Sequence, residues 1–367
     1  MLTLKDVLLL KVEVEMESKE LVNISDRKKD ILNKAIEDYI YDGVPVSSGS
    51  LCEKHNLDLS SATVRNELNA LEEMGFLKKL HTSGGRVPTT KGYKVFVKTL
   101  AGNIPKETKL IKEIKKSFLN HSKYLSEVVK DVAKTVSEIT NYPTVVLYTG
   151  LKNYKIERIQ IVPLMSGQGL VLIETNFGIL EPIVLSNVQV EEKVCLEASF
   201  CFTKNFKGAT IDDLVSYAKD AEKKISGELK DYAEIFKAVS DLLVAYIKES
   251  EKSITIGANN LLEMPEYQNA NDAKKIIDFL EDDNLVKKVL SGTNEDERIQ
   301  FKLGVKADES GQAPDCAIVK TNCKTDGVNL AQIAVIGPER MDYQKIASAL
   351  LYINKEIEGG ISGRKDE

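Results

Sequence analysis

The feature that most constrains this chain is a change of hydrophobic period that later reverses. From Pro143 the runs TVVLYTG, KIERIQIVPL, QGLVLIETN and GILEPIVL read as short strands separated by turn residues. After Val190 the apolar spacing becomes helical, through EEKVCLEASFCFTKNF and then over about 210–226, 228–250 and 271–290. From Arg298 strands return as IQFKLGV, DCAIVKTNC and LAQIAVIGP, and a last helix runs from about Asp342 to Glu358. Three domains in series would produce this order, and so would one α/β domain interrupted by a helical insertion. The second fits better, because neither β portion has enough strands for a comfortable sheet alone. The expected division is one α/β domain in two segments, 142–207 and 296–367, with 208–295 inserted.

The chain has 367 residues, room for two or three domains. Its apolar share of 43% and charged share of 29% are those of a folded protein and exclude disorder throughout. The net charge of -6 argues against a chain that coats nucleic acid everywhere, but a sum hides its distribution. Cys52, Cys195, Cys201, Cys316 and Cys323 form no CxxC pair, and their odd count suits a reducing cytosol better than a disulfide framework. His55, His81 and His121 lie far apart, so neither a zinc site nor any other metal is expected. No apolar run approaches the ~20 residues of a membrane span. The patch Val7–Leu10 is too short for a signal segment, which leaves the cytoplasm as the default location. Residues 1–23 are assigned no function beyond a leader.

Residues 24–102 read as three helices, a hairpin and a further helix. Ser25 is a plausible N-cap, and Ile31, Leu32, Ala35, Ile36, Tyr39 and Ile40 recur at helical spacing until Asp42, Gly43 and Pro45 end the helix. Ser47 or Ser48 caps a short second helix carrying Leu51 and Cys52, the cysteine reading as core. Ser60 or Ser61 caps a third that runs to about Met74. Phe76–Leu80 can then pair with Arg86–Pro88 across the turn Thr82-Ser83-Gly84-Gly85, since glycines tolerate the positive φ of tight turns. Thr89 or Thr90 caps a helix through Leu100. After a boundary at Gly102–Pro105, residues 103–141 read as a helical linker striped by Ile111, Ile114, Phe118, Leu125, Val128, Val129, Val132 and Val136.

Three short helices followed by a glycine-turn hairpin is the order of a winged helix-turn-helix, in which the third helix enters the major groove. On a helical wheel Val64, Leu68 and Leu71 fall on the core side, and Ala62, Arg65, Asn66 and Asn69 fall outward. Arginine can bond guanine O6 and N7, asparagine can pair with adenine, and Ala62 can touch a thymine methyl. Ser60, Ser61 and Thr63 sit at the helix N-terminus, where hydroxyls and free N–H groups suit a phosphate. Within 60–100 the bases are Arg65, Lys78, Lys79, Arg86, Lys91, Lys94 and Lys98 and the acids Glu67, Glu72 and Glu73, a local charge of +4. The plainer alternative is a solvated helix face beside a hairpin whose His81 is only hydrogen-bonded.

These residues also carry a resemblance. The run SSATVRNELNALEEMGFLKKLHTSGGRVPTTKGY, Ser60 to Tyr93, resembles the signature of the heat-inducible transcription repressor HrcA family, as does DYIYDGVPVSSGSL, Asp38 to Leu51. NNLLEMPEY, Asn259 to Tyr267, is similar to the family's NLL-x-x-PE segment, and IGPERMDY, Ile336 to Tyr343, to its IGP-x-RMDY segment. The resemblance implies an α+β multidomain chain: a winged-helix domain, a GAF-like α/β domain, and a dimerisation domain inserted into the latter. It implies a homodimer that binds an inverted-repeat operator in double-stranded DNA, called CIRCE, upstream of chaperone operons. The GroE chaperonin is implied as a partner, with repression relieved on heat stress. No cofactor and no membrane are implied. By resemblance Ser60 through Asn66 read the operator and His81 through Arg86 form the wing. The expected DNA contacts are therefore Ser60, Ser61, Ala62, Thr63, Arg65, Asn66 and Asn69 from the helix, and Lys78, Lys79, His81, Thr82, Ser83, Gly84, Gly85, Arg86 and Lys91 from the wing and beyond it. The wing reads SGGR where the family commonly has SAGR, and residues 208–252 match only in texture.

Two other function classes would leave different signatures. A ligand-responsive regulator would use the GAF-like domain as sensor, and GQG at 167–169 and TNFG at 175–178 are its candidate loops, although hairpin turns explain the same glycines. An enzyme would need a catalytic constellation, and the chain has no GxSxG, P-loop, HExxH or GxGxxG. RNA remains a weaker fit than DNA, because outward Arg and Asn suit a major groove that RNA narrows.

Overall fold

The computed structural model describes residues 24–80, 85–100, 111–114, 125–180, 182–186, 188–224, 227–290, 298–306, 315–325 and 328–362. It is an α+β structure in which the described residues form three sheets of two, five and four strands. Among the described residues no helix is long and apolar enough to cross a membrane. The leader 1–23 and most of the expected helical linker lie outside the described residues.

The N-terminal unit contains α1 (Asp26–Asp42), α2 (Ser48–His55), α3 (Ser61–Glu73), the hairpin β1 (Leu77–Lys79) and β2 (Arg86–Pro88), and α4 (Thr90–Leu100). Local chemistry sets most of its boundaries. Ser25 caps α1, which ends where Gly43 turns left-handed at φ 67° and its N–H returns to the Tyr39 carbonyl. Ser47 and Ser50 form a reciprocal capping box at α2, which Asn56 ends at φ 44°. The Thr89 hydroxyl accepts from the Gly92 N–H at 3.2 Å and so caps α4. Ile31, Leu32, Ile36, Leu51, Val64, Leu68, Leu71 and Phe76 close the core, all essentially without solvent contact.

The five-stranded sheet has the order β8-β3-β11-β10-β9, with β3 (Thr144–Tyr148), β8 (Ser253–Ile256), β9 (Gln300–Lys306), β10 (Asp315–Thr325) and β11 (Val328–Pro338). Every neighbouring pair is antiparallel. Alternate residues serve opposite faces. Val146, Ala317, Val319, Ile333 and Val335 join the cluster that includes α5 (Leu125–Thr140) and α11 (Tyr343–Ser362). Val145, Leu147, Cys316, Ile318, Ala334 and Ile336 face α9 (Ala270–Glu281) and α10 (Asp283–Leu290). Both faces are covered by helices, which explains why these strands read as near-continuous apolar runs.

The four-stranded sheet is separate. In it β5 (Gly169–Thr175) pairs with β4 (Ile156–Pro163), β6 (Gly178–Ile179) and β7 (Ile183–Leu185). Ile159, Ile161, Val171, Ile173 and Leu185 bury one face against α6 (Glu192–Phe206), α7 (Ile211–Lys224) and α8 (Ala233–Ser250). The outer edge of β4 is closed by hydroxyls of α6. The Ile161 N–H donates to Ser199 Oγ at 2.8 Å and the Ile159 N–H to Thr203 Oγ1 at 3.0 Å, so those edge donors are not left open.

The chain thus leaves the five-stranded sheet after β3 and re-enters it at β8. The excursion spans 149–252 and carries its own sheet, whereas the change of period in the sequence marks an insertion at 208–295. Two physical facts explain the difference. Hydroxyls on α6, and not a further strand, satisfy the open edge of β4, and α9 and α10 bury their apolar faces on the five-stranded sheet.

Candidate nucleic-acid interface

The candidate surface is built on α3. The Ser60 hydroxyl accepts from the Thr63 N–H at 3.1 Å and lies 2.8 Å from Thr63 Oγ1, so it caps the helix from inside. Ser61 Oγ lies 3.1 Å from Ser48 Oγ, which brings the N-terminus of α3 beside that of α2. Two helix N-termini close together concentrate partial positive charge where a phosphate would sit. Ala62, Arg65 and Asn66 are exposed, and Thr63 is half-buried. Among the described residues Arg65 has no ion-pair partner.

The opposite face of α3 is tied down. Glu67 is 6% exposed and pairs with Arg27 at 2.5 Å and Lys28 at 3.0 Å. The Lys28 ammonium, aided by Arg27, holds its carboxyl below the usual carboxylate range. Sequence reasoning passed over this residue, although its place between Val64 and Leu68 on the wheel is an inward signal.

Glu72 is a second hub. Arg86 Nε donates to it at 3.0 Å and Lys79 Nζ lies 3.1 Å away. Burial raises the Glu72 carboxyl pKa, but bonds from Lys79 and Arg86 outweigh that and leave it lowered. Arg86 Nη2 also donates to Asn69 Oδ1. Arg86 is 7% exposed and its main chain bridges Val46 in both directions, at 2.8 and 2.9 Å. Asn69 and Arg86, both expected to face outward, therefore bond each other across the base of the hairpin. Their geometry fixes the hairpin against α3. Gly85 belongs to the same junction, since a methyl group there would sit 2.6 Å from the Pro45 carbonyl oxygen.

Lys91 Nζ donates to the Met74 carbonyl at 3.2 Å and lies 4.8 Å from the Phe76 ring centroid. It caps the C-terminus of α3 and shields its last carbonyls. Lys78 is exposed on β1. His81, Thr82, Ser83 and Gly84 lie outside the described residues. The structure therefore brings Ser60, Ser61, Ala62, Thr63, Arg65 and Asn66 to one end of one helix. Lys78 stays exposed on β1, near enough to the Glu339 carboxylate to act on it electrostatically, and Asn69, Lys79, Arg86 and Lys91 are committed to internal bonds.

The unit docks on the five-stranded sheet through residues that the charge pattern did not single out. Arg340 Nε donates to Glu266 Oε1 at 2.7 Å, and its Nη1 donates to the Ile40 carbonyl at 3.2 Å. Thr90 Oγ1 donates to Glu339 Oε2 at 3.0 Å. The Tyr93 and Tyr343 rings lie 6.1 Å apart. The segments around Asp38, Asn259 and Ile336, far apart in sequence, meet at this joint.

Comparison with known proteins adds an independent line. A family model described as the HrcA protein C-terminal domain matches residues 126–347. A heat-inducible transcription repressor HrcA of Acetivibrio thermocellus is 32% identical over 340 residues, which cover 91% of this chain and 95% of that protein. Another, from Caldanaerobacter subterraneus subsp. tengcongensis, is 31% identical, covering 92% and 97%. The crystal structure of a hypothetical protein at 2.2 Å resolution matches with a TM-score of 0.65 at 18% identity, over 93% of this chain and 99% of that one, a likeness of fold.

Proposed function

This chain belongs to the HrcA family of heat-inducible transcription repressors, and from that premise we propose that it represses heat-shock, chaperone-encoding operons by holding an inverted-repeat CIRCE operator. The N-terminal unit acts as a winged helix-turn-helix over 24–102, with α3 as recognition helix and β1–β2 as the wing. The single observation that carries this reading is the uncommitted pair Arg65 and Asn66, outward on a helix whose other polar side chains mostly bond within the unit. Arg65 reads guanine, Asn66 reads adenine, and Lys78 with the paired serine N-termini holds phosphates.

The five-stranded sheet with α5 and α9–α11 serves as the GAF-like domain, and the 149–252 excursion as the inserted dimerisation domain. One recognition helix reads few base pairs, so a two-fold homodimer is needed for an inverted repeat. The outer face of the four-stranded sheet suits a second copy. Val162 pairs with Leu170 and Leu170 with Val184, an apolar row across three strands. Val162 is 40% exposed and Val184 38%, more than a closed core leaves uncovered. Relief on heating follows if the active form depends on the GroE chaperonin, as the family resemblance implies. The protein works in the cytoplasm as a regulator, not as an enzyme.

DNase footprinting on the promoters of chaperone operons tests the reading. Protection of both halves of an inverted repeat is expected. Protection of one asymmetric half-site, or of none, overturns it.

A further inference from the structure

A cavity of about 500 Å³ lies where the excursion rejoins the five-stranded sheet. Its walls come from both units: Tyr148 on β3 from one, and Tyr154, Phe177, Ile179 and Tyr246 from the other. The TNFG turn at 175–178 is a β5–β6 hairpin, and it also supplies part of the wall. Only 6% of this chain is aromatic, yet four aromatic rings surround this one space. Tyr154 and Phe177, each 5% exposed, meet edge to face at 4.9 Å. That geometry presents ring edges and faces to an occupant and favours another aromatic ring over a flexible chain.

The charged groups on the rim are unequal. Lys252 is held by Glu249 at 2.7 Å. Lys130 lines the same cavity, and among the described residues it has no ion-pair partner. Space of this size, mostly apolar with a few polar groups, is that of a small-molecule site.

We propose that this cavity binds an aromatic carboxylic acid, its ring among Tyr148, Tyr154, Phe177 and Tyr246 and its carboxylate toward Lys130. An occupant touching both walls joins the excursion to the five-stranded sheet. The site is independent of operator recognition, since none of its walls belongs to the N-terminal unit.

The test is calorimetric titration of the full chain with 2-naphthoate. Saturable binding of one molecule per chain is expected, with neutral 2-naphthamide weaker by at least about fivefold. Ile179→Trp fills the space and should abolish the signal, while Tyr246→Ala removes a wall and should weaken binding about tenfold. Lys130→Glu should reduce naphthoate binding and leave naphthamide unchanged. Circular dichroism confirms that each variant folds, and Tyr246→Ala answers the question if Ile179→Trp does not. Absence of saturable binding to the unaltered chain overturns the site. So does binding indifferent to both wall variants. Equal affinity for naphthoate and naphthamide overturns the carboxylate class.

Discussion

The Arg340 guanidinium donates to the main-chain carbonyl of Ile40 at 3.2 Å, across 300 positions of sequence. Ile40 lies in the last turn of α1, where carbonyls lack intrahelical partners. The same guanidinium holds Glu266 at 2.7 Å. One side chain therefore satisfies the end of the first helix and a carboxylate beside the five-stranded sheet, and it helps set how the N-terminal unit sits on the rest of the chain.

Arg340→Ala should destabilise the chain by about 2–3 kcal/mol, because it leaves the Glu266 carboxylate half-buried and unpaired. The change should concentrate at the joint. Hydrogen exchange should quicken at the end of α1, around Tyr39 to Gly43, and stay slow at Val64 to Leu71. Uniform quickening across the N-terminal unit would show that Arg340 supports the unit itself and not its docking.

Arg86→Ala should weaken binding to operator and to random DNA alike, with an unchanged salt slope. The side chain is buried against Glu72 and Asn69, so its loss leaves Glu72 to Lys79 alone, leaves Asn69 without that donor and loosens the hairpin, at a cost of about 2 kcal/mol. A phosphate contact would instead lower the slope of log K against log salt by about one. Mobility shifts at three salt concentrations separate the two.

Arg65→Ala and Lys78→Ala should behave oppositely. Loss of Arg65 should lower operator affinity at least tenfold, about 1.4 kcal/mol or more, and hardly affect random DNA. Loss of Lys78 should weaken both equally and reduce the salt slope by about one. Equal loss on random DNA from Arg65→Ala would remove it from base readout.

Much of the N-terminal unit was legible because its determinants are local. Ser25, Ser47, Ser60 and Thr89 stand just before the helices they cap, and a cap acts within three residues. The inward turn of Arg86 and Asn69 was not legible. A wheel gives the direction of Asn69 only within its own helix, and the partner comes from another strand. The pairing of distant strands was not legible for a similar reason. Pairing β8, four residues long, with β3 is a contact across a hundred residues, and periodicity says nothing about partners. The hydroxyls of Ser199 and Thr203 that close the β4 edge look in sequence like ordinary solvent-facing helix residues.

If the proposed homodimer pairs through this face, Val184→Asp should raise its dissociation constant at least tenfold. Val184 ends the row that runs through Leu170 to Val162, and a carboxylate buried there would lack a partner. Sedimentation equilibrium should show monomer at concentrations where the unaltered chain is paired. Operator binding should fall with it, since a monomer offers one recognition helix. An unaltered dimer would place the two-fold contact on another face.

Lys320 gives a prediction in pH. It lies on β10 with no solvent contact, and its ammonium donates to the Leu290 carbonyl at the end of α10. Burial, with repulsion from Lys302 second, pushes its pKa from 10.5 down to about 8. Between those values the unfolded chain binds more protons than the folded one at this site, so stability from Lys320 rises with pH. Below about pH 8 both states are protonated, and the fold bears the full penalty of a buried charge, about 3 kcal/mol. Lys320→Met removes that penalty and also the carbonyl bond, worth about 1 kcal/mol. The variant should therefore melt higher than the unaltered chain at pH 7, and its advantage should shrink steadily from pH 8 to 10. Comparing the two Tm values at each pH cancels every other titrating group. A difference that stays constant with pH would mean that Lys320 does not titrate in this range.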